Sequence, residues 1–252
     1  MIKAGIIGAT GFTGAELVRL LYSHPEVEIS VLTSRSYAGV DIADVYPNLK
    51  GLMYFLCSDQ DVEEVFSISD VVFVALPHGY SVPIVSMAEE KEKKVIDLGA
   101  DFRLKEASVY EKWYGLEHKS PELLHKAVYG LPEIYKEYIQ DADFVANPGC
   151  FPTSVILATA PLLAENFIEA DSIIVDSKTG ISGAGKTPSE KTHFVERNEN
   201  VGAYGVLAHR HKPEIEQELS LISGNNINFS FTPHLVPITR GILSTVYARL
   251  KR

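Results

Sequence analysis

With 252 residues, 46% of them hydrophobic and 22% charged, the chain has ordinary globular composition and can fill one large core or two modest ones without covalent staples. A formal net charge of −10 offers no basic face to nucleic acid, so that partner class is excluded and the acidity reads as solubility. The two cysteines, Cys57 and Cys150, make no disulfide framework and no zinc-type spacing; with no leader-like start and no apolar run near the ~18 residues that span a bilayer, a reducing, cytoplasmic setting without membrane contact is expected.

Residues 3–7 are a short apolar run of strand type. Gly8-Ala9-Thr10-Gly11-Phe12-Thr13-Gly14 follows, and residues 15–22 then carry Leu17, Val18, Leu20 and Leu21 at helical spacing until His24-Pro25 stops them. Residues 28–33 read as a second strand. Strand, glycine-rich turn, helix and strand make one βαβ unit of about 30 residues. Its glycines permit a tight turn and a close backbone approach to a pyrophosphate seated on the helix N-terminus. The G-x-x-G-x-x-G spacing departs from the usual dinucleotide fingerprint, so the position between strand and helix carries the assignment. Gly8, Thr10, Gly11, Phe12, Thr13 and Gly14 are the cofactor-binding candidates. Where an NAD site places an acid, about 20 residues past the glycines, this chain has Ser34-Arg35-Ser36. An arginine between two hydroxyls suits a ribose 2′-phosphate, so NADP(H) is expected; the alternative is that Arg35 is a solvated surface charge.

Residues 52–56 read as a further strand ending at Cys57, a structural cysteine with no base beside it. Residues 59–66 read as a helix. Val71-Val72-Phe73-Val74-Ala75 is a continuous apolar run, as in a buried parallel strand. Leu76-Pro77-His78-Gly79 lies past its C-terminal end, where open α/β sheets bind ligands. Pro77, His78 and Gly79 therefore touch the nicotinamide side of the cofactor, or they only shape the loop. A helix over 81–91 and a strand over 95–97 follow. Arg103, beyond that strand, carries a planar fork for phosphate or carboxylate, or pairs locally with Asp101. Tyr129-Gly130-Leu131-Pro132-Glu133 reads as a turn and residues 144–146 as a strand. The alternation of strand and helix stops near Asn147.

Asn147-Pro148-Gly149-Cys150-Phe151-Pro152-Thr153 comes next. It sets Cys150 behind a Pro-Gly turn and before an apolar run that predicts a helix over 153–164. A thiol at a helix start lies near the positive end of the dipole and near unpaired N–H groups, which favour the thiolate. Cys150 is then either a covalent catalyst or a small buried hydrophobe. A strand is expected over 172–178. Gly180-Ile181-Ser182-Gly183-Ala184-Gly185-Lys186 is a second glycine-rich loop without P-loop spacing. Its N–H groups with Ser182 and Lys186 suit an anionic substrate group; a plain flexible loop is the alternative. In Ala208-His209-Arg210-His211-Lys212-Pro213-Glu214-Ile215, an extended backbone would point His209 and His211 to one side, and Pro213 opens a helix to about residue 222. Two histidines are too few for zinc, so no metal is expected. They supply an acid/base for Cys150, or one of them is structural. Strands are expected over 229–231 and 241–250, the latter with Ser244, Val246 and Ala248 on one face, and Lys251-Arg252 falls mid-sheet. The fold class is α/β. Residues 1–147 form a Rossmann-type dinucleotide-binding domain, and residues 148–252 form an α+β catalytic, substrate and oligomerisation domain with a mixed sheet, incomplete at its C-terminus.

Along the whole chain these motifs resemble the N-acetyl-γ-glutamyl-phosphate reductase family, a relative of aspartate-semialdehyde dehydrogenase. The most specific are Pro148-Gly149-Cys150-Phe151-Pro152-Thr153 and His209-Arg210-His211 followed by Pro213-Glu214-Ile215. The resemblance implies NADPH-dependent reduction of N-acetyl-γ-glutamyl phosphate, a small acyl phosphate of arginine biosynthesis, to the γ-semialdehyde with release of phosphate. It makes Cys150 the nucleophile and the His209/His211 pair the acid/base. It puts Ser34, Arg35, Ser36, Ser182 and Gly183 on NADP, and Arg103, Asn147, Gly185, Lys186 and Arg210 on substrate. It implies a homo-oligomer, dimer or tetramer. Family members commonly run on for several dozen residues, through a Gly-Ala-rich segment near the cofactor and a closing helix, so the chain is expected to be truncated or a shortened homologue. Two other functions stand beside this one: the reductase of lysine biosynthesis that acts on a carrier-linked aminoadipyl phosphate, and a non-catalytic NADP-binding sensor. An acidic chain lacks a basic patch for an acidic carrier, and a sensor needs neither Cys150 nor the histidines.

Overall fold

The computed structural model describes residues 1–251, and Arg252, part of the expected mid-sheet ending, lies outside the described residues. The chain divides into two units, Met1–Ala107 with Leu116–Asn147, and Ser108–Gly115 with Pro148–Arg252.

The first unit is a parallel sheet of strands β1 (Ile2–Ile7), β2 (Val27–Thr33), β3 (Val71–Val74), β4 (Lys94–Asp97), β5 (Val128–Tyr129) and β6 (Phe144–Ala146) in the order β2-β1-β3-β4-β6-β5. The apolar runs become strands because helices cover the sheet, so Ile6, Val72, Val74 and Val95 are all fully enclosed. The order reverses between β1 and β3, and such a switch point opens the ligand crevice beyond the strands' C-terminal ends. Gly8 leaves β1 with φ +87°, and a Cβ there would stand 2.5 Å from the Ala75 carbonyl oxygen past β3. A Cβ on Gly14 would stand 2.3 Å from the Gly8 carbonyl oxygen. Backbone thus meets backbone on both sides of the turn, which only glycine allows. Helix Phe12–Tyr22 begins inside the glycine motif, with Gly11 as its N-cap and no side-chain cap.

Three expectations change. Residues 52–56 form no strand: Asp41 accepts the Ala43 and Phe55 N–H groups, and Leu56 makes only an isolated bridge to Asp41. The 129–133 stretch is not a simple turn, because Tyr129 ends β5 and Pro132 opens helix Pro132–Asp141 at its first position. Helix Ala107–Tyr114, an unforeseen element, contributes residues 108–115 to the second unit.

That second unit has a mixed sheet of β7 (Ile174–Thr179), β8 (Gly202–Ala203), β9 (Ser230–Leu235) and β10 (Ile242–Tyr247), in the order β10-β7-β9-β8. β7 and β9 are parallel; the other two pairings are antiparallel. Helix Cys150–Ala164 packs on β10 and on helix Lys212–Ser223. A row of hydroxyls pins it: Ser154 Oγ to Ser244 Oγ at 2.8 Å and Ser244 Oγ to Ser177 Oγ at 2.7 Å. Among the described residues, no helix is long and apolar enough to cross a membrane.

Gly14→Ala is expected to cost roughly 3 kcal/mol of stability, because backbone cannot yield as a side chain can. Gly11→Ala, whose Cβ would meet nothing nearer than the Gly8 oxygen at 3.6 Å, should cost about 1 kcal/mol or less. Urea unfolding of both variants checks this; equal midpoints would refute the packing argument.

Candidate active site

Cys150 is the first residue of helix Cys150–Ala164, three positions earlier than its apolar run predicts, and it is exposed. The N-cap residue, Gly149, has no side chain to cap that helix, so the thiol stands at the positive end of the dipole. The turn before it is held from across the unit. Gly149 N–H donates to Glu214 Oε1 at 2.8 Å, and Glu214, in the first turn of helix Lys212–Ser223, is 1% exposed. Thr153 Oγ1 donates back to the Gly149 carbonyl and Ser154 Oγ to the Phe151 carbonyl. Cys57 is the opposite case: it is enclosed in the first unit's core, and burial, then the charge of Asp41, push its thiol pKa up.

Residues 206–211 run through turns rather than extended chain, yet they bring the two histidines together. The His209 and His211 rings lie 5.0 Å apart, and Phe151, next to the cysteine, meets them edge-on at 5.2 and 6.0 Å. Tyr204 and Phe231 close around His209 at 5.4 and 5.3 Å. His209 Nδ1 accepts the His211 N–H at 3.1 Å, which requires an unprotonated Nδ1 and puts the ring proton on Nε2. Burial, then the positive Arg210, press His209 down to about 4. It is a neutral, fixed ring at neutral pH. Burial, then the charge of Cys150, push the Tyr204 phenol up to about 12, so it stays protonated. His211 is half-buried and caps helix Lys212–Ser223. Arg210 is exposed, its guanidinium carbon 5.3 Å from the ring centre of Tyr114, which stacks on Tyr110.

Ser182, Gly183, Gly185 and Lys186 lie past β7, around the short 3-10 helix Ile181–Ala184. The N–H groups of Gly180, Ile181, Ser182, Gly183 and Gly185 all donate to chain carbonyls. These five N–H groups are thus engaged within the chain, while Lys186 is exposed. Among the described residues no three His, Cys, Asp or Glu side chains gather as a metal site.

In the first unit, Gly8, Thr10, Gly11, Phe12, Thr13 and Gly14 form the turn and first helical residues beyond β1. Thr10 Oγ1 and Ser34 Oγ are 2.7 Å apart and buried, and Tyr46 Oη donates to the Thr10 carbonyl. Ser34 is thus an internal tie, while Arg35 and Ser36 are exposed past the end of β2. A helix start without a side-chain cap and an exposed arginine in place of an acid fit a dinucleotide with a 2′-phosphate. Pro77, His78 and Gly79 follow β3; Gly79, with φ +88°, donates its N–H to Asp101. Arg103 is buried, its Nε on the Asn147 carbonyl and its Nη2 on the Leu98 carbonyl, each at 2.7 Å, so it braces the loops past β4 and β6.

Glu214 and Tyr204 were not foreseen. Glu214 carried a readable signal, since Glu214 and Glu218 share the buried helix face of Ile215 and Leu219, where a carboxylate needs a partner. Tyr204 sits in irregular chain and carried none.

Residues 3–142 match the family model described as semialdehyde dehydrogenase, NAD binding domain, and residues 150–252 the one described as semialdehyde dehydrogenase, dimerisation domain. An N-acetyl-gamma-glutamyl-phosphate reductase of Moorella thermoacetica is 56% identical over 252 residues, 100% of this chain and 73% of the relative. One of Desulforamulus reducens is 53% identical over 250 residues, 99% of this chain and 72% of the relative. Among solved structures, aspartate semialdehyde dehydrogenase II of Vibrio cholerae, complexed with ASA, superposes with a TM-score of 0.74 at 19% identity, covering 99% of this chain and 74% of that one. The aspartate semialdehyde dehydrogenase of Candida albicans with NADP gives 0.69 at 18% identity, covering 100% and 72%. At such identities the likeness is one of fold.

Nitrogen-15 NMR of the imidazoles is expected to find His209 as the Nε2–H tautomer, without titration between about pH 6 and 8. The unfolded ring takes up its proton near about 6.5 and the folded one only at about 4, so this contribution to stability is complete above that window and is lost as pH falls through it. A His209 that titrates near neutrality would refute the assignment.

Proposed function

Because the chain belongs to the N-acetyl-γ-glutamyl-phosphate reductase family of the semialdehyde dehydrogenases, we propose that it reduces N-acetyl-γ-glutamyl phosphate to N-acetylglutamate 5-semialdehyde with NADPH and releases phosphate, a step of arginine biosynthesis. The observation that carries the reading is an exposed Cys150 at a helix start, next in the chain to Phe151, whose ring meets those of His209 and His211. The Cys150 thiolate attacks the acyl carbon; the C–S bond forms as the C–O bond to phosphate breaks, leaving a thioester on Cys150. NADPH, when bound, supplies the hydride for the carbonyl carbon. N–H groups at the helix start steady the oxyanion. His211 protonates it, and withdrawal of the same proton expels the Cys150 thiolate and frees the aldehyde. His209, its Nδ1 engaged by the His211 amide, holds the base in place. This divides a pair of equivalent candidates into a proton carrier and a support.

Gly8, Thr10, Gly11, Phe12, Thr13 and Gly14 hold the pyrophosphate side of NADPH, and Arg35 with Ser36 the 2′-phosphate, with Ser34 behind them. In the first unit Pro77, His78 and Gly79 are assigned to the nicotinamide side; in the second, Ser182 and Gly183 are assigned to the cofactor. Lys186 and Arg210 offer charge to the substrate's phosphate and carboxylate, with Gly185, Asn147 and Arg103 shaping the substrate loops. Residues 1–147 thus serve as the NADP-binding domain and 148–252 as the catalytic and oligomerisation domain. The outer face of the second sheet leaves Ile174, Leu243 and Tyr247 exposed, which supports pairing with a second copy in a dimer or tetramer. Two free cysteines and a soluble phosphorylated substrate support a cytoplasmic setting.

Phosphate-dependent reduction of NADP+ with N-acetylglutamate semialdehyde tests the chemistry. Cys150→Ser is expected to lower kcat by roughly 10³-fold or more and His211→Asn by roughly 10²–10⁴-fold. Undiminished turnover of the serine variant would sink covalent catalysis. Arg35→Ala is expected to raise the KM for NADPH about tenfold or more through loss of a charge-assisted contact and to leave that for NADH unchanged; parallel changes would remove Arg35 from the 2′-phosphate.

A further inference from the structure

Three buried polar side chains that the chemistry above does not use join the loop past β3 to the loop past β4. Asp97 and Asp101 are 0% exposed and Ser81 is 1% exposed. Ser81 Oγ lies 2.9 Å from Asp97 Oδ2 and 2.7 Å from Asp101 Oδ2. Asp101 Oδ1 also accepts the Gly79 N–H at 2.7 Å, and its Oδ2 accepts the Ser81 N–H at 3.1 Å. Asp97 Oδ1 accepts the Gly99 N–H at 2.8 Å. A serine hydroxyl has one proton to donate. It satisfies one of these two carboxyls, and the other short contact is attractive only if that carboxyl brings a proton of its own. Both oxygens of Asp101 already take N–H donors. On Asp97 the backbone donor is on Oδ1, and Oδ2 is turned to the hydroxyl.

We propose that Asp97 is the carboxyl of this pair that takes up a proton in the folded protein, at mildly rather than strongly acidic pH, that in this state Asp97 Oδ2–H donates to Ser81 Oγ and Ser81 Oγ–H to Asp101 Oδ2, and that this chain positions the Pro77-His78-Gly79 loop for the cofactor. The last part rests on reading that loop as cofactor-binding. The neighbourhood agrees. Burial, helped by the charge of Asp101, pushes Asp97 up to about 6 against the opposing Gly99 and Ser81 hydrogen bonds and the charge of Arg103. At the level of Asp97 the flanking strands present Val74 and Ala146, and the His118 ring is on the Asp101 carbonyl. Asp97 and Asp101 are therefore unlike in role: the first is a donor, the second an acceptor on every bond given above. An asparagine can replace the donor, because its amide N–H can face Ser81 while its oxygen keeps Gly99. At Asp101 the same change sets an NH2 group against N–H donors.

Carbon-13 NMR of the carboxyl groups across pH, with NADPH binding followed by fluorescence and folding by circular dichroism, tests this on the chain as it stands. Asp97 is expected to titrate at about pH 6 rather than at the ordinary value of about 3.9. Asp97→Asn should keep the Kd for NADPH within about threefold, while Asp97→Ala and Asp101→Asn weaken it about tenfold or more by leaving buried partners unsatisfied. Titration of Asp97 near 4, or equal damage from both asparagine variants, overturns the proposal. A protonated Asp97 with NADPH affinity unmoved in a folded Asp101→Asn protein overturns the positioning role and the cofactor reading of the loop instead.

Discussion

The Glu214 carboxylate on the Gly149 amide links two stretches that are 65 residues apart in the chain. A buried carboxylate without donors is costly, and a buried N–H without an acceptor costs almost as much, so each group fixes the other. Gly149 is the residue whose backbone sets where helix Cys150–Ala164 begins. Glu214 lies three residues past His211. The bond thus locates the thiol and the histidine segment together, and the aromatic contacts of Phe151 and Phe231 complete the enclosure. The electrostatic state of the site follows from that enclosure: His209 is driven neutral and Tyr204 kept protonated because both are taken out of water. At the helix start Glu214 takes the Gly149 N–H, and Cys150 is the first helical residue beyond it.

The first unit solves its own problem by the same means, with backbone donors brought to buried carboxylates. Close approach of Gly8 to Ala75 and of Gly14 to Gly8 sets the turn over the switch point. Past β3 and β4 no such backbone contact is needed, because Asp101 gathers the Gly79 and Ser81 amides. Ser34, first read as a phosphate ligand, belongs to this framework: its hydroxyl faces Thr10 and leaves Arg35 and Ser36 outside.

Much of the fold was legible from local pattern. The apolar runs at 3–7, 71–75 and 144–146 had one stable outcome, a covered parallel strand, and the glycine spacing required the turn that follows β1. The run at 52–56 has similar composition but becomes loop, because its partners are decided by Asp41 rather than by a neighbouring strand. Helices Ala107–Tyr114 and Pro132–Asp141 were missed although their apolar residues keep helical spacing, because both are short and mostly polar. In the site, Cys150, His209 and His211 were visible as residue types in telling surroundings. The division of labour proposed for the two histidines was not, because it turns on one hydrogen bond from the His211 amide.

By itself the amino-acid sequence determined the class of fold, the dinucleotide turn and the absence of an acid at the end of β2, and it offered a thiol and two histidines as the candidates for the chemistry. Those are properties of neighbouring residues, and local sterics and charge are enough to settle them. Only the tertiary structure decided which histidine is held neutral, which buried carboxyl carries the proton, and which of Ser34, Arg35 and Ser36 faces outward. Each depends on burial and on donors supplied from distant segments, and a protonation state follows the surroundings that folding creates, not the residue that bears it.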